Sequence, residues 1–383
     1  MRRTTIQLVC LAGVAVGVLN SFAVRGQEDG QVEEQSAAID DDLPPHTRAP
    51  RGVSLDVYEG TFVLAPGEEW FERQAEQDPE RWSYVEDLAG GEGGYVDAEG
   101  VYHFRYDEEE DVAAYWQWVP PSQLTRGRRD YVQFCASCHG LEGDGYGRSG
   151  QWLRPSPRSF HQGYFKFAKT LAPLPTDEAL IRLVKRGLDG TPMLPWALSD
   201  EQLTDIVQYV KSLSPEGVAW RDPFSSVGDV VEVSEDPWKG KEGHAIKTGE
   251  RVYHKDAQCH LCHPGYVTPA KLLELREDPP GTTYRPNLFR PVLKGSEYTV
   301  LGEKVGIFPP DFTFHQVRSG STTRDLYETI AAGIKGTAMP AWKGALSEED
   351  LWALAYYVES LIEDYKGKPM ERKAFIDGLK EGQ

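Results

Sequence analysis

The chain has 383 residues, with 60 acidic side chains against 41 basic ones and a formal net charge of −19. A balance this acidic argues against a nucleic-acid partner and against binding to anionic lipid, and it favours attraction to a partner with a basic docking surface. The length is sufficient for two or three domains.

The N-terminus carries two arginines and then an apolar run from Ile6 to Val24. With small residues around Ser21, this pattern predicts a secretory signal peptide over 1–26 and a periplasmic protein. An uncleaved membrane anchor is the alternative, because the run approaches the length that spans a bilayer. Membrane association is expected only through such an anchor or through a membrane complex.

Two segments of different composition follow. Residues 27–49 are polar and acidic, which predicts a disordered linker. Residues 50–120 are rich in aromatic side chains, and turn signals such as GGEGG separate their apolar stretches. We expect a small N-terminal extension of mixed structure, with a short strand or two and one helix. This extension either covers the domain that follows or docks a partner.

The strongest signal is a pentapeptide with the spacing C-x-x-C-H, which attaches a c-type haem. The chain holds two copies of it, Cys135-Ala-Ser-Cys138-His139 and Cys259-His-Leu-Cys262-His263. Two thiols bond covalently to one haem, and the adjacent His is the proximal ligand of the iron. The alternatives are a zinc site shared by the two pairs and a thioredoxin-like redox pair. Both disagree with the long separation of the pairs and with the His after each pair.

From residue 121 onward the chain repeats itself. Gly127 and Tyr131 precede the first motif, and Gly249 and Tyr253 precede the second. A Gly and a Tyr four residues apart lie on one face of a helix, and the Gly lets another helix approach closely. Each copy ends in an amphipathic helix that begins with a Ser and acidic residues, the signature of a helix N-cap.

Both copies also contain a loop with the pattern G-x-x-G-T-x-M-x-x-W, which holds Met193 in the first copy and Met339 in the second. The whole chain has only four Met. A filled sixth position on the iron is typical of an electron carrier, whereas an open one suits an enzyme or a gas site. We therefore predict that both Met are sixth ligands. The alternative is that each fills a gap in the core.

Together, these segments resemble the small cytochrome c domain whose iron has His and Met ligands. The whole is similar to tandem dihaem cytochromes c of bacterial respiratory chains. The resemblance covers 121–215 and 243–365, with a linker at 216–242. It implies a mainly α fold of two tandem cytochrome c-type helical haem domains, preceded by the aromatic-rich segment. It also implies two covalently bound haem c groups, with ligands His139 and Met193 on the first iron and His263 and Met339 on the second.

The resemblance also concerns the surroundings of each haem. A Pro carbonyl is expected to accept the N–H of each proximal His, from Pro155 or Pro157 in the first domain and from Pro264, Pro269 or Pro309-Pro310 in the second. Three arginines are candidates for haem propionates, namely Arg154, Arg158 and Arg285. The other histidines are expected at the surface or at a haem edge, namely His103, His161, His244, His254, His260 and His315.

The chain departs from the family pattern at 50–120, in an added stretch at 161–167 and in the second domain. An insert at about 266–308 in the second domain either shields its haem or forms a contact face. Residues 366–383 are predicted to be a charged C-terminal tail.

The predicted function is that of a periplasmic dihaem cytochrome c without catalytic residues. It would carry single electrons between a quinol-oxidising complex or a dehydrogenase and a terminal oxidase or reductase, and its partners would be redox proteins. One alternative is an enzyme like the dihaem cytochrome c peroxidases, with one open haem and Glu142 and Asp144 as the nearest acids. Others are a cytochrome subunit of a larger respiratory complex and a gas or redox sensor.

Overall fold

The computed structural model describes residues 54–381, except for 67, 78, 80–81, 86–93, 98–101, 109–111, 296–298, 301–302 and 305. The predicted signal peptide and the acidic linker lie outside the described residues. Helices dominate the described part of the chain, which confirms the predicted mainly α class. None of the described helices is long and apolar enough to cross a membrane.

The strands are β1 (Thr61–Leu64), β2 (Trp82–Val85), β3 (Gly94–Asp97), β4 (Tyr102–Glu108), β5 (Val112–Val119), β6 (Leu174–Pro175), β7 (Val227–Gly228), β8 (Thr299–Val300) and β9 (Glu303–Lys304). The helices are α1 (Glu68–Gln77), α2 (Pro121–Phe134), α3 (Ala136–His139), α4 (Asp177–Arg186), α5 (Asp200–Ser212), α6 (Glu242–Arg251), α7 (Pro269–Arg276), α8 (Thr323–Ala332), α9 (Glu348–Tyr365) and α10 (Pro369–Glu381).

The N-terminal extension is a five-stranded antiparallel sheet in the order β1-β5-β4-β3-β2. It has more strands than predicted, because the pairing of β1 with β5 joins segments that are far apart in sequence. The sheet packs on the first repeat. Val63 and Val119 share a buried core with Leu124 of α2, and the backbone N–H of Val57 donates to the hydroxyl of Thr125 at 2.9 Å. These contacts favour the prediction that the extension covers the first haem domain.

Each repeat is built on a close crossing of its first and last long helices, α2 with α5 and α6 with α9. A Cβ added to Gly127 would lie 2.0 Å from the carbonyl oxygen of Asp205, and one added to Gly249 would lie 2.1 Å from that of Ala353. The predicted role of the two glycines is therefore confirmed. At each crossing two Tyr rings pack together, with centroids 5.2 Å apart in the first repeat and 5.5 Å apart in the second.

The second repeat has two more residues than the first between its Tyr and its first Cys. A π-helical turn, Val252–Asp256, follows α6 and accommodates part of the two-residue insertion. Gln258, which has a left-handed backbone conformation, accommodates the rest. A π-turn accommodates an extra residue without moving the flanking helix. Tyr253 and the second motif therefore keep the relation that their counterparts have in the first repeat.

The two repeats meet through equivalent helices, α4 and α8. Arg182 and Glu328 are the sixth residues of these helices, and the guanidinium of Arg182 donates to both carboxylate oxygens of Glu328 at 2.7 and 2.8 Å. The ion pair therefore joins equivalent positions of the two repeats. Lys169, which is almost fully buried, donates to Glu328 at 2.8 Å and to Asp325 at 3.0 Å.

The predicted charged tail is wrong in part, because 369–381 form α10. Ile376 and Leu379 of this helix are buried against Leu272 and Leu288 of the insert. The apolar residues of the segment have helical spacing, which its many charges obscure in the sequence. The predicted linker at 216–242 is also anchored, since Trp220 within it is fully buried in the core of the first repeat.

We expect Gly249→Ala to lower the free energy of unfolding by about 1–3 kcal/mol, because the added methyl group forces α6 and α9 apart. Gly243→Ala in the same helix is the control, since no atom lies within 4 Å of its added Cβ. Thermal unfolding of the holoprotein, followed by circular dichroism, checks the difference. Equal stability of the two variants would contradict the close crossing.

We expect Glu328→Gln to destabilise the protein by about 3 kcal/mol, because it removes the carboxylate that pairs with Arg182 and leaves the buried Lys169 with only one of its two carboxylate partners, Asp325. Burial alone would raise the pKa of Glu328, but the hydrogen bonds from Arg182 and Lys169 outweigh it and hold that pKa below its ordinary value of 4.5. The ionised Glu328 therefore stabilises the wild type above pH 4.5, and this stabilisation is lost as the pH falls through the lowered pKa.

Denaturant unfolding at several pH values tests this expectation. The stability difference between wild type and Glu328→Gln should shrink as the solution is acidified. The exposed Glu216 lies in a loop, so Glu216→Gln is the control and should match the wild type at every pH. A difference that does not depend on pH would exclude a role for the ionised carboxylate.

Candidate haem sites

The first C-x-x-C-H motif begins at the end of α2 and forms the short helix α3. The hydroxyl of Tyr131 donates to the carbonyl of Gly140 at 2.7 Å, which ties the motif to the crossing helices. The ring of His139 stacks on Phe160 at 4.5 Å, and its Nδ1 lies 3.0 Å from the carbonyl oxygen of Arg158. This bond occupies Nδ1 and leaves Nε2 available to a metal.

The second motif has the same surroundings. The hydroxyl of Tyr253 donates to the carbonyl of Pro264 at 2.8 Å. The ring of His263 stacks on Phe312 at 4.8 Å, and its Nδ1 lies 3.0 Å from the carbonyl oxygen of Pro310. One of the predicted alternatives, Pro309-Pro310, is therefore correct in this repeat.

The predicted acceptors Pro155 and Pro157 are wrong, since the carbonyl belongs to Arg158. In both repeats the accepting residue stands two positions before the Phe that stacks on the His. A backbone carbonyl is available from any residue type, so its place relative to the Phe matters more than the presence of a Pro.

Burial keeps both imidazoles neutral. It lowers the pKa of His139 and lowers that of His263 to about 4, although the hydrogen bonds to the carbonyls oppose the shift. The neutral imidazole is the form that binds a metal. Burial also raises the pKa of the Cys135 and Cys259 thiols to about 12. None of the four motif cysteines forms a disulfide.

The two Met loops have the same hydrogen bonds. In the first, the N–H of Met193 donates to the hydroxyl of Thr191 at 3.1 Å, and that hydroxyl donates to the carbonyl of Leu188 at 2.8 Å. In the second, Met339, Thr337 and Ile334 make the same bonds at 3.1 and 2.7 Å. In addition, the carbonyl of each Met accepts from the backbone N–H of the loop's Leu or Ile. The repeated frame fixes each Met by its backbone, which leaves the thioether unconstrained by the main chain.

The residues of each repeat fit a covalently bound haem. Each repeat offers two cysteine thiols, a neutral His whose Nε2 is available and a Met on a separate loop. Together, these groups are the donor set of a c-type haem with His and Met ligands. In the second repeat, Cys259, Met339 and Phe312 pack against one core. Cys135 packs against the core of the first repeat, so the two cysteine pairs do not share a zinc site. Fold and sites thus define a dihaem c-type cytochrome.

The chain belongs to the family described as cytochrome c oxidase, cbb3-type, subunit III. The family model matches 122–210 and 244–358, together more than half of the chain, so the protein carries one haem c in each of two cytochrome c domains. A comparison with curated proteins gives no significant match. Among solved structures, one chain of the reducing HAO-like protein complex of Kuenenia stuttgartiensis is similar. It has 31% sequence identity and a TM-score of 0.44, over 62% of this chain and 96% of that one.

The other predicted histidines divide into two groups. His244 and His315 are exposed and His161 is half-buried, while the side chain of His103 lies outside the described residues. His254 and His260 are not at the surface. They are 0% and 2% exposed, and their ring centroids are 5.9 Å apart, with His260 lying within the second motif itself. His254 is held by the carbonyl of Glu250 and the N–H of Tyr266 and is not available as a ligand.

The predicted propionate partners also differ. Arg154 bonds to carbonyls of its own loop, those of Gln151 and Leu153. Arg285 donates to five backbone carbonyls around the second motif, so its guanidinium is not available to a propionate. The sequence does not reveal this contact, because Arg285 lies in an insert without a counterpart in the first repeat. The shared Thr of the Met loops was, by contrast, visible in the repeated pattern.

We expect Thr337→Val to weaken the predicted bond of Met339 to the second iron, because the substitution removes two hydrogen bonds of the loop, each of about 1 kcal/mol. The Met-to-iron charge-transfer band of the ferric holoprotein should lose about half its intensity at a lower temperature than in the wild type. Thr337→Ser keeps the hydroxyl and should behave as the wild type does. If Val and Ser give the same melting profile, the hydroxyl has no part in presenting the Met.

Proposed function

We propose that the protein is a periplasmic carrier of single electrons rather than an enzyme. Each haem would be bound through the thiols of its motif, with His139 and Met193 as ligands of the first iron and His263 and Met339 as ligands of the second. The haem iron supplies the one-electron chemistry when bound. The observation that carries the proposal is the Met loop, because its hydrogen bonds are the same in both repeats and would close both sixth positions.

The contact between the two repeats supports electron exchange within the chain. The N–H of Asp189, in the first Met loop, donates to the carbonyl of Arg318 at 3.2 Å. In return, the ammonium of Lys335, in the second Met loop, donates to the carbonyl of Leu171 at 2.6 Å. Each Met loop therefore lies against the opposite repeat. This arrangement would place the Met-bearing side of each haem site near the contact between the two repeats.

Exposed apolar side chains stand beside each motif. Trp152 is 80% exposed in the loop whose backbone N–H groups donate to the carbonyls of the first motif. Leu261 lies within the second motif, and the exposed Leu293 follows a residue that donates to the carbonyl of Cys262. An exposed Trp suits contact with a protein partner, because aromatic side chains are enriched at interfaces. We propose that redox partners dock at these two places, one delivering electrons and the other accepting them.

The partners we propose are a quinol-oxidising complex or a dehydrogenase on one side and a terminal oxidase or reductase on the other. The match to an oxidase-subunit family supports a respiratory setting, whether as a free carrier or as a cytochrome subunit of a complex. The domains would be those at 121–215 and 243–365. The net charge of −19 favours partners with a basic docking surface.

A peroxidase-like function has less support. It needs an acid on the open side of one haem, opposite the proximal His. Asp144 instead lies beside Gly140, directly after His139, where a Cβ on that Gly would lie 2.1 Å from its carboxylate oxygen. The acid therefore stands on the proximal side, and its carboxylate accepts the N–H of Tyr146.

We expect the reduced wild-type protein not to bind carbon monoxide, because Met occupies both sixth positions. Met339→Ala should bind carbon monoxide at half of the haem, and so should Met193→Ala, as measured by optical spectra of the purified holoproteins. Met370, in α10, is 73% exposed, and Met370→Ala is the control that should bind none. Binding to the wild type, or hydrogen peroxide turnover by it, would favour an enzyme with one open haem.

A further inference from the structure

The second motif is held by one cation, the guanidinium of Arg285. Its Nη2 donates to the carbonyl of the proximal His263 at 2.7 Å and to that of His260 at 3.0 Å, and its Nε donates to His260 at 3.2 Å. The same guanidinium bonds to the carbonyls of Asn287, Leu288 and Arg290 within the insert. Arg285 therefore binds the insert to the backbone of the proximal ligand.

The first repeat satisfies the equivalent carbonyls with neutral groups. The carbonyl of His139 accepts from the backbone N–H of Gly145 at 2.8 Å, and that of Ala136, the counterpart of His260, accepts from the N–H of Gly140 at 2.9 Å. Each of the two proximal histidines stacks on a Phe and bonds through Nδ1 to a backbone carbonyl. They differ in the group that donates to the backbone carbonyl of the His, which is a neutral N–H at His139 and a charged guanidinium at His263.

We propose that Arg285 is a positioning residue that raises the reduction potential of the second haem. The inference rests on the proposed function, in which His263 ligates the second iron. A positive charge beside the proximal ligand disfavours the ferric state, which carries one more positive charge than the ferrous state. Arg stays protonated throughout the range in which proteins fold, so the effect is permanent.

The surroundings of Arg285 strengthen this electrostatic effect. The guanidinium is half-buried, and the partners that it has among the described residues are neutral carbonyls rather than a carboxylate. Its charge is therefore not cancelled by a counter-ion in direct contact. Groups that bond to a metal ligand from outside the coordination sphere tune the metal in this way. An electron shared between the two haems would therefore occupy the second haem more than it would without this charge.

The experiment is a spectroelectrochemical titration of the holoprotein and of four variants, each fitted with two one-electron potentials. Arg285→Gln removes the charge and keeps a donor, whereas Arg285→Lys keeps the charge and loses the planar fork. Arg154→Gln is the control, because Arg154 caps only carbonyls of an exposed loop in the first repeat. Met339→Ala identifies which of the two potentials belongs to the second haem.

We expect Arg285→Gln to lower the potential of the second haem alone, so that the constant for sharing an electron between the haems moves about tenfold toward the first, equivalent to about 59 mV. Arg285→Lys should retain most of the wild-type separation, and Arg154→Gln all of it. Unchanged potentials in Arg285→Gln would overturn the proposal. Equal losses in Gln and Lys would also overturn it, since a purely structural role responds to the lost fork in both.

Arg285→Lys gives a second test, which holds even if Arg285→Gln does not fold. This variant keeps the charge, so the potential of the second haem should stay near its wild-type value, and a fall of about 59 mV, a tenfold change in the constant, contradicts the proposal. Failure of the proposed function looks different, because an open second haem would bind carbon monoxide in the wild type. Closed haems with potentials indifferent to Arg285 would remove this inference and leave the carrier function in place.

Discussion

The close approach of two helices at a glycine is the constraint on which each half of the molecule depends. Because Gly127 and Gly249 have no side chain, the first helix of each repeat meets the backbone of the last helix. This crossing buries Tyr131 and Tyr253, whose hydroxyls bond to the carbonyls just after the haem motifs. Helix packing thus sets the position of each motif.

Repetition of this unit explains both the likeness and the difference of the two sites. The His, the stacked Phe, the accepting carbonyl and the Met loop recur with nearly the same distances. The second repeat adds a π-turn, an insert and α10, which together surround its motif with further protein. Arg372 of α10 binds Asp311, so the C-terminal helix also supports the segment that bonds to His263.

Much of the site was predictable because the chemistry of haem attachment fixes residue types and spacing. The two motifs, the Met loops and the glycines followed from local patterns and from their repetition. The carbonyl of Arg158 was not predictable, since any residue type can supply a carbonyl. The role of Arg285 and the ion cluster of Lys169 and Glu328 depend on contacts between distant segments, which periodicity does not encode. The burial of His254 and His260 has the same origin.

The sheet of the extension shows the same limit. Its strands β4 and β5 are adjacent in sequence, but β1 pairs with β5 across most of the segment. Local alternation indicates strands without indicating their partners. The edge strand β1 of the extension contributes side chains to the core of the first repeat. The extension therefore both covers that repeat and completes its core.

The proposed carrier function requires that Met closes both irons. Iron-edge X-ray absorption of the ferric holoprotein is the sharpest test of this requirement, because it counts the sulfur ligands bound to iron and averages over the two sites. We expect one sulfur ligand per iron. An average of half a sulfur per iron would mean that one of the Met loops leaves its haem open, and it would refute ligation of both irons by Met.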